Sequence, residues 1–335
     1  MIRLTWLQFR MQAAVAAGAL VLIAVALALT GPHLAHLYDT SGISLCQAQS
    51  NCASLASRFL SEARAAFIDK MLLGFGGVMV AAPALVGIFW GAPLIARELE
   101  TGTYRLAWTQ TVTPQRWLAV KLGIVGVASV AAVGLLSLML TWWSRSTDLA
   151  SMNLLTPAVF GERGIAPAGY AAFAFVVGLA AGLLLRRTLP AMAITLAGFA
   201  AVRLAITYWV RPHLVTPAHT TAKVVESLPS GALRLWPTIG PHGPVGVPVT
   251  IPASAWIYSN QRVNAAGQAV GSGLSAACQR SQAAIEACTA GFHRLVTYQP
   301  ASRFWEFQWR ETAIFVALAL ILAGLCFMWL RRRRS

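Results

Sequence analysis

The stretch IARELETGTYRLAWTQTVTPQRWLAVK, residues 95–121, crowds six charged side chains (Arg97, Glu98, Glu100, Arg105, Arg116 and Lys121) among the rings of Tyr104, Trp108 and Trp117. That mixture suits docking. Carboxylates and guanidinium groups make oriented charge-assisted hydrogen bonds, and aromatic rings act as anchors in apolar pockets. Catalysis is a poorer fit. The chain holds no H-E-x-x-H, no G-x-S-x-G elbow and no G-x-x-x-x-G-K-[ST] phosphate loop, so a zinc protease, a serine hydrolase and a nucleotide-driven motor each lack their reacting groups. His33-x-x-His36 has no further ligands at useful spacing, and no metal is expected there.

These residues interrupt a chain of 335 residues that is 57% hydrophobic and 11% charged, with a mean hydropathy of +0.63. Soluble domains carry roughly a quarter charged residues, so the composition is that of a membrane protein. Stretches at about 13–30, 71–96, 122–144, 164–185, 188–210 and 312–330 meet the requirement of roughly 20 apolar residues per crossing. Only the fifth contains a charge, Arg203. The spans lack the paired carboxylates that intramembrane hydrolases or proton pumps use, and uncharged spans favour the passage of lipophilic molecules over ions. Arg3 and Arg10 precede a long apolar run without a clear small-x-small cleavage site, which reads as a retained anchor rather than a secretion signal.

Charge then sets the orientation. With the N-terminus inside, segments 1–12, 97–121, 186–187 and 331–335 carry 12 Lys and Arg against Glu98 and Glu100, whereas segments 31–70, 145–163 and 211–311 carry 13 against nine acids over a far greater length. Positive-inside bias therefore places both termini and the charged loop in the cytoplasm. The net charge of +15 is mostly this signal, and no nucleic-acid partner is needed to explain it. On the opposite, oxidising face fall Cys46, Cys52, Cys278 and Cys288. Three pairings are open, with Cys278–Cys288 and Cys46–Cys52 the default and unpaired thiols the alternative. Cys326 stands alone in the sixth span.

The expected architecture is an all-α integral membrane protein. Residues 1–12 form an interfacial helix, 13–210 hold spans one to five, 211–310 form a loop-rich extracytoplasmic cap, and 311–335 supply the sixth span and a basic tail. Within the cap, the sequence LSAACQRSQAAIEACTAGFHRLVTYQP has helical spacing ahead of its breakers Gly291 and Pro300. Within the charged loop, Glu100, Thr101, Gly102 and Thr103 break the second helix. TYRLAWTQ then spaces Tyr104, Ala107 and Trp108 on one helical face, and Thr113-Pro114 is an N-cap followed by proline at the first helical position. A short helix held between two spans can receive a push from a soluble partner. It can equally rest in the headgroups, where aromatic residues commonly anchor.

Two further features have paired readings. Arg203 lies two turns from Arg211 and either snorkels to the outer interface or lines a cleft, meeting substrate or pairing with Glu306 or Glu311. SRFWEFQWRE, residues 302–311, is an aromatic belt at the membrane surface or a lip over an exit path.

The segment ARELETGTYRLAWTQTVTPQRWLAVKL resembles the region around the coupling helix of ABC-2-type exporter permeases. Arg97 and Glu98, then Gly102 and Thr103, the stretch Tyr104 to Gln110, Pro114 and Lys121 stand at the matching places. LLLRRTLPAMAITLAGFAAVRLA (183–205) and TYQPASRFWEFQWRETAIF (297–315) resemble permeases of high-GC Gram-positive bacteria in particular. The resemblance implies a non-catalytic permease subunit that pairs with a second permease and with two ABC ATPase subunits, which bind the ATP and Mg. This chain itself takes no cofactor. It also implies an ATPase-coupling role for Arg97, Glu98, Glu100, Thr101, Gly102, Thr103, Tyr104, Arg105, Leu106 and Trp108, and an N-terminal helix on the inner leaflet. MIRLTWLQFR places Ile2, Trp6 and Phe9 on one face, with Arg3 and Arg10 beside them for lipid phosphates. Export of a hydrophobic or amphipathic compound is the expected function. The competing expectation is a signalling component whose cap responds to a compound without net transport.

Overall fold

The computed structural model describes residues 2–43, 52–65, 68–102, 113–151, 154–223, 256–264, 266–269 and 293–332. Among them six helices are long and apolar enough to cross a membrane: span 1, Thr5–Thr40; span 2, Lys70–Glu100; span 3, Pro114–Trp143; span 4, Ala166–Leu185; span 5, Thr188–His213; and span 6, Ala301–Arg332. The protein is a multi-pass helical membrane protein.

Span 4 is the axle of the bundle. In its most apolar stretch 72% of residues are buried, against 6% in span 1, and it packs on spans 2, 3, 5 and 6. A helix apolar all round belongs inside, and here glycines let the neighbours come close. Span 2 carries a π-helical segment, Gly87–Gly91, which crosses span 4 at Gly178, and the turn after it, from Ala92, passes Gly182. A methyl group at Gly91 would stand 2.5 Å from the Phe175 carbonyl, one at Gly178 2.7 Å from the Ala92 nitrogen, and one at Gly182 2.6 Å from the Ala92 carbonyl. Both partners thus present Gly-x-x-x-Gly, the small-residue spacing that brings membrane helices together.

Span 1 belongs to one helix, Ile2–Thr40, of 39 residues. The expected interfacial helix over 1–12 is not a separate element. No proline, and no glycine before Gly18, interrupts the chain there, and alanines carry the helix forward. Phe9 packs edge-on against Trp90 of span 2, with ring centroids 4.8 Å apart. At its other end the helix runs on through Pro32, where a loop was expected, because Leu34 is buried and Tyr38 packs against Phe59 of the helix Cys52–Ala65. The Trp143 indole donates to Thr30 Oγ1 at 2.9 Å and ties span 1 to span 3.

The cap is not purely loops. Strands β1 (Ala218–Lys223), β2 (Trp256–Val263) and β3 (His293–Gln299) form an antiparallel sheet in the order β1-β3-β2. The helical spacing noted ahead of Pro300 thus yields to a strand over 293–299. Thr297 and Val296 are β-branched and pair across both neighbours, and tertiary pairing overrides local pattern. The part of that expectation covering 274–290 lies outside the described residues.

Candidate functional site

The charged loop is fixed at both ends as expected. Span 2 ends at Glu100, Thr101 caps it through its amide to the Arg97 carbonyl, and Gly102 has φ +75, a left-handed turn that glycine adopts without strain. Thr113 receives the Arg116 amide on Oγ1 at 3.3 Å, with Pro114 at the first helical position. Thr103, Tyr104, Arg105, Leu106 and Trp108 lie outside the described residues.

The acids at the base of the loop are tied to three other spans. Lys121 is 2% exposed; its Nζ lies 2.5 Å from Glu98 Oε1 and donates to the Leu94 carbonyl at 3.2 Å, above the Trp117 ring. Gln8 of span 1 donates to the same Glu98 oxygen at 3.0 Å. Glu100 Oε2 accepts from the Thr188 amide at 3.1 Å and its hydroxyl at 2.7 Å. That carboxylate satisfies an orphan donor at the start of span 5 and complements its helix dipole. Spans 1, 3 and 5 therefore all answer to the two acids, whereas Arg97 points to solvent.

The opposite end of the bundle, below the cap, holds a second polar cluster. Arg211 at the end of span 5 and Glu311 of span 6 form a two-pronged ion pair, Nε to Oε2 at 2.7 Å and Nη2 to Oε1 at 2.8 Å, with side chains 1% and 0% exposed. Tyr170 of span 4 donates to Glu311 Oε1 at 2.6 Å. The guanidinium lies 4.1 Å from the Phe160 ring centre, and its Nη1 has no hydrogen-bond partner among the described residues.

Gln308 of span 6 stitches the start of span 4. Its Oε1 accepts from the Ile165 and Ala166 amides at 3.0 and 2.8 Å, and its Nε2 donates to the Phe160 and Arg163 carbonyls. Gly164 beside it, at φ +71, would bring a methyl group within 2.8 Å of that oxygen. Arg163, 1% exposed, bonds Asp148 at 3.0 Å and Glu162 at 3.4 Å. Burial pushes the Glu162 carboxyl above its ordinary range; Asp148 adds to the rise, and Arg163 and Arg203 offset it only in part.

Arg203 does not form the ion pair with Glu306 or Glu311 that was one expectation for it. Its Nη1 donates to the Val80 carbonyl of span 2 at 3.0 Å, and its guanidinium stands 4.8 Å from the Tyr170 ring centre. Glu311 is held by Arg211, and Glu306 by Arg310 at 2.5 Å. The aromatic residues of 302–311 divide by face: Phe304 and Phe307 are buried, Trp305 and Trp309 exposed. Cys46, Cys278 and Cys288 lie outside the described residues, as does the side chain of Cys52; Cys326 is a buried free thiol.

Sequence reading missed the Arg211–Glu311 pair, although opposite charges at facing ends of two spans were a usable signal. It also missed the twin Gly-x-x-x-Gly motifs, which are visible at 87–91 and 178–182.

Six candidate spanning helices, of which span 4 is the most buried, with a charged loop strapped at its base at one end and a sheet-bearing cap at the other, define a polytopic helical membrane protein. Residues 17–211, more than half of the chain, match the family described as ABC-2 membrane transporter related, and the protein belongs to that family. The match stops at Arg211, so the cap and span 6 lie beyond it. No curated protein and no solved structure matches the chain.

Proposed function

We propose that the chain is the membrane subunit of an ABC-2-type exporter, moving a hydrophobic or amphipathic compound out of the cell with ATP hydrolysed by separate ATPase subunits. A second permease subunit completes the complex, and both termini and the loop 97–114 face the cytoplasm. The observation that carries this reading is the strapping of the loop base. Glu98 answers to Lys121 and Gln8, and Glu100 to Thr188, so force applied to residues 103–112 reaches spans 1, 2, 3 and 5 together. The family membership supports the ATPase partnership, and the nearly charge-free apolar stretches at the middle of the spans support a lipophilic cargo. ATP and Mg belong to the partner; this chain contributes no catalytic group to hydrolysis.

Three measurements test the proposal. The chain is co-expressed and purified with candidate P-loop ABC ATPases of the same cell, and ATP-driven efflux of amphipathic dyes is measured in proteoliposomes. Cysteine labelling at positions 105 and 150 should report opposite faces. Compound-stimulated ATPase activity without net efflux would favour the signalling alternative, and failure of any ATPase to co-purify would reject both.

A further inference from the structure

An open apolar groove of about 310 Å³ lies between the last turns of spans 4 and 6, at the end of the bundle that holds the chain termini. Leu183 and Leu184 line one wall and Leu325, Met328 and Trp329 the other, with Arg332 at the mouth as the one charged lining residue. The walls face outward: Leu184 is 60% exposed and Met328 52%, which in a bilayer means contact with hydrocarbon. Further exposed cations stand at the ends of the same two helices. Arg186 and Arg187 follow span 4, Arg331 precedes Arg332, and the sequence continues with Arg333 and Arg334, which lie outside the described residues. The acid Glu100 near the start of span 5 is bonded to Thr188.

We propose that this groove binds an anionic phospholipid, one acyl chain between the leucine walls and the phosphate against Arg332. A hydrocarbon slot with a cationic mouth has the polarity of that ligand. Arginines clustered at such a mouth discriminate headgroups, because an anionic lipid is attracted where the cationic end of a zwitterionic one is repelled. The volume is at the lower end of the roughly 300–1,000 Å³ typical of small-molecule sites, enough for part of one chain. The site is independent of whether the protein exports or signals.

The test is native mass spectrometry of the full-length chain in detergent, with added dioleoyl phosphatidylglycerol or dioleoyl phosphatidylcholine. The phosphatidylglycerol adduct should survive activation that strips phosphatidylcholine, by a factor of about five or more. Arg331→Gln with Arg332→Gln should abolish that preference. Leu184→Trp, which fills the groove from an exposed position, should lower phosphatidylglycerol retention while the protein still elutes as a single species; Met328→Trp replaces it if it does not. Equal retention of the two lipids by the native chain would overturn the proposal. So would full retention by both groove variants, since the arginines would then be attracting headgroups without a groove-bound chain.

Discussion

Lys121 reaches across from span 3 to Glu98 at the foot of span 2, 2.5 Å between Nζ and Oε1, and is almost wholly withdrawn from solvent. Breaking a buried pair by removing one partner strands the other, at roughly 3–5 kcal/mol, whereas replacing both with apolar groups is often neutral. Glu98→Gln should therefore lower the thermal midpoint in detergent well below that of Glu98→Leu combined with Lys121→Met. The double variant should assemble yet transport poorly, because the foot of the loop is no longer strapped. Efflux at the native rate from the double variant would show that the strap is structural only.

Arg211 and Glu311 close spans 5 and 6 in the same manner, deeper inside the protein. Glu311→Gln leaves a buried guanidinium without its counter-charge and should cost about 3 kcal/mol or more. Tyr170→Phe removes one hydrogen bond and should cost about 1–3 kcal/mol. Chemical unfolding of the two variants in mixed micelles that ranks them in the opposite order would contradict the ion pair as the organising contact.

Gly178 lies at the crossing of spans 2 and 4, where a methyl group has no room. Gly178→Ala should destabilise by about 1–3 kcal/mol through overpacking, while Gly123→Ala, where a methyl group meets nothing within 4 Å, should not. Equal melting of the two would refute the close crossing.

Glu162 gives a pH dependence of defined sign. Its carboxyl holds its proton to higher pH when folded than when unfolded, because burial disfavours the anion. Between the unfolded and folded values the native state binds more protons, so stability falls as pH rises through that window. Glu162→Gln should flatten the fall above the ordinary carboxylate range near 4.5. A steeper fall in the variant would reverse the assignment.

The Tyr104 and Trp108 face of the loop tests the coupling proposal directly. Aromatic anchors in an interface pocket typically cost about 2 kcal/mol or more when truncated. Tyr104→Ala with Trp108→Ala should leave an inserted, folded permease that neither retains the ATPase nor exports. Pull-down of the ATPase at native levels would show the rings to be lipid anchors instead.

The sequence carried the spans well, because hydrocarbon thickness and helix rise leave little choice of length. Spans 4 and 5 begin within two residues of their expected starts, while spans 1, 3 and 6 extend further than their apolar runs. The extensions are where tertiary contacts act. Leu34 and Tyr38 carry span 1 past Pro32, and Gln308 and Glu311 draw the polar start of span 6 into the bundle. The loop boundaries at Gly102 and Thr113 were legible because caps are local chemistry. The cap sheet was not, since β1 and β3, paired from Lys223–His293 to Ala218–Tyr298, lie far apart in sequence and short polar strands have weak periodicity. The destination of Arg203 was hidden for a related reason: its acceptor is a backbone carbonyl, which no side-chain pattern announces.

The 100 residues between Arg211 and Glu311 also set a schedule for biosynthesis. At roughly 5–20 residues per second, Arg211 leaves the ribosome about 5–20 s before the carboxylate that neutralises it. Over that interval the fifth span carries a stranded cation while the whole cap is being translated, so the pair forms last, when the sixth span arrives. The ion pair thus acts as a completion mark: it can form only once the chain has been made as far as Glu311.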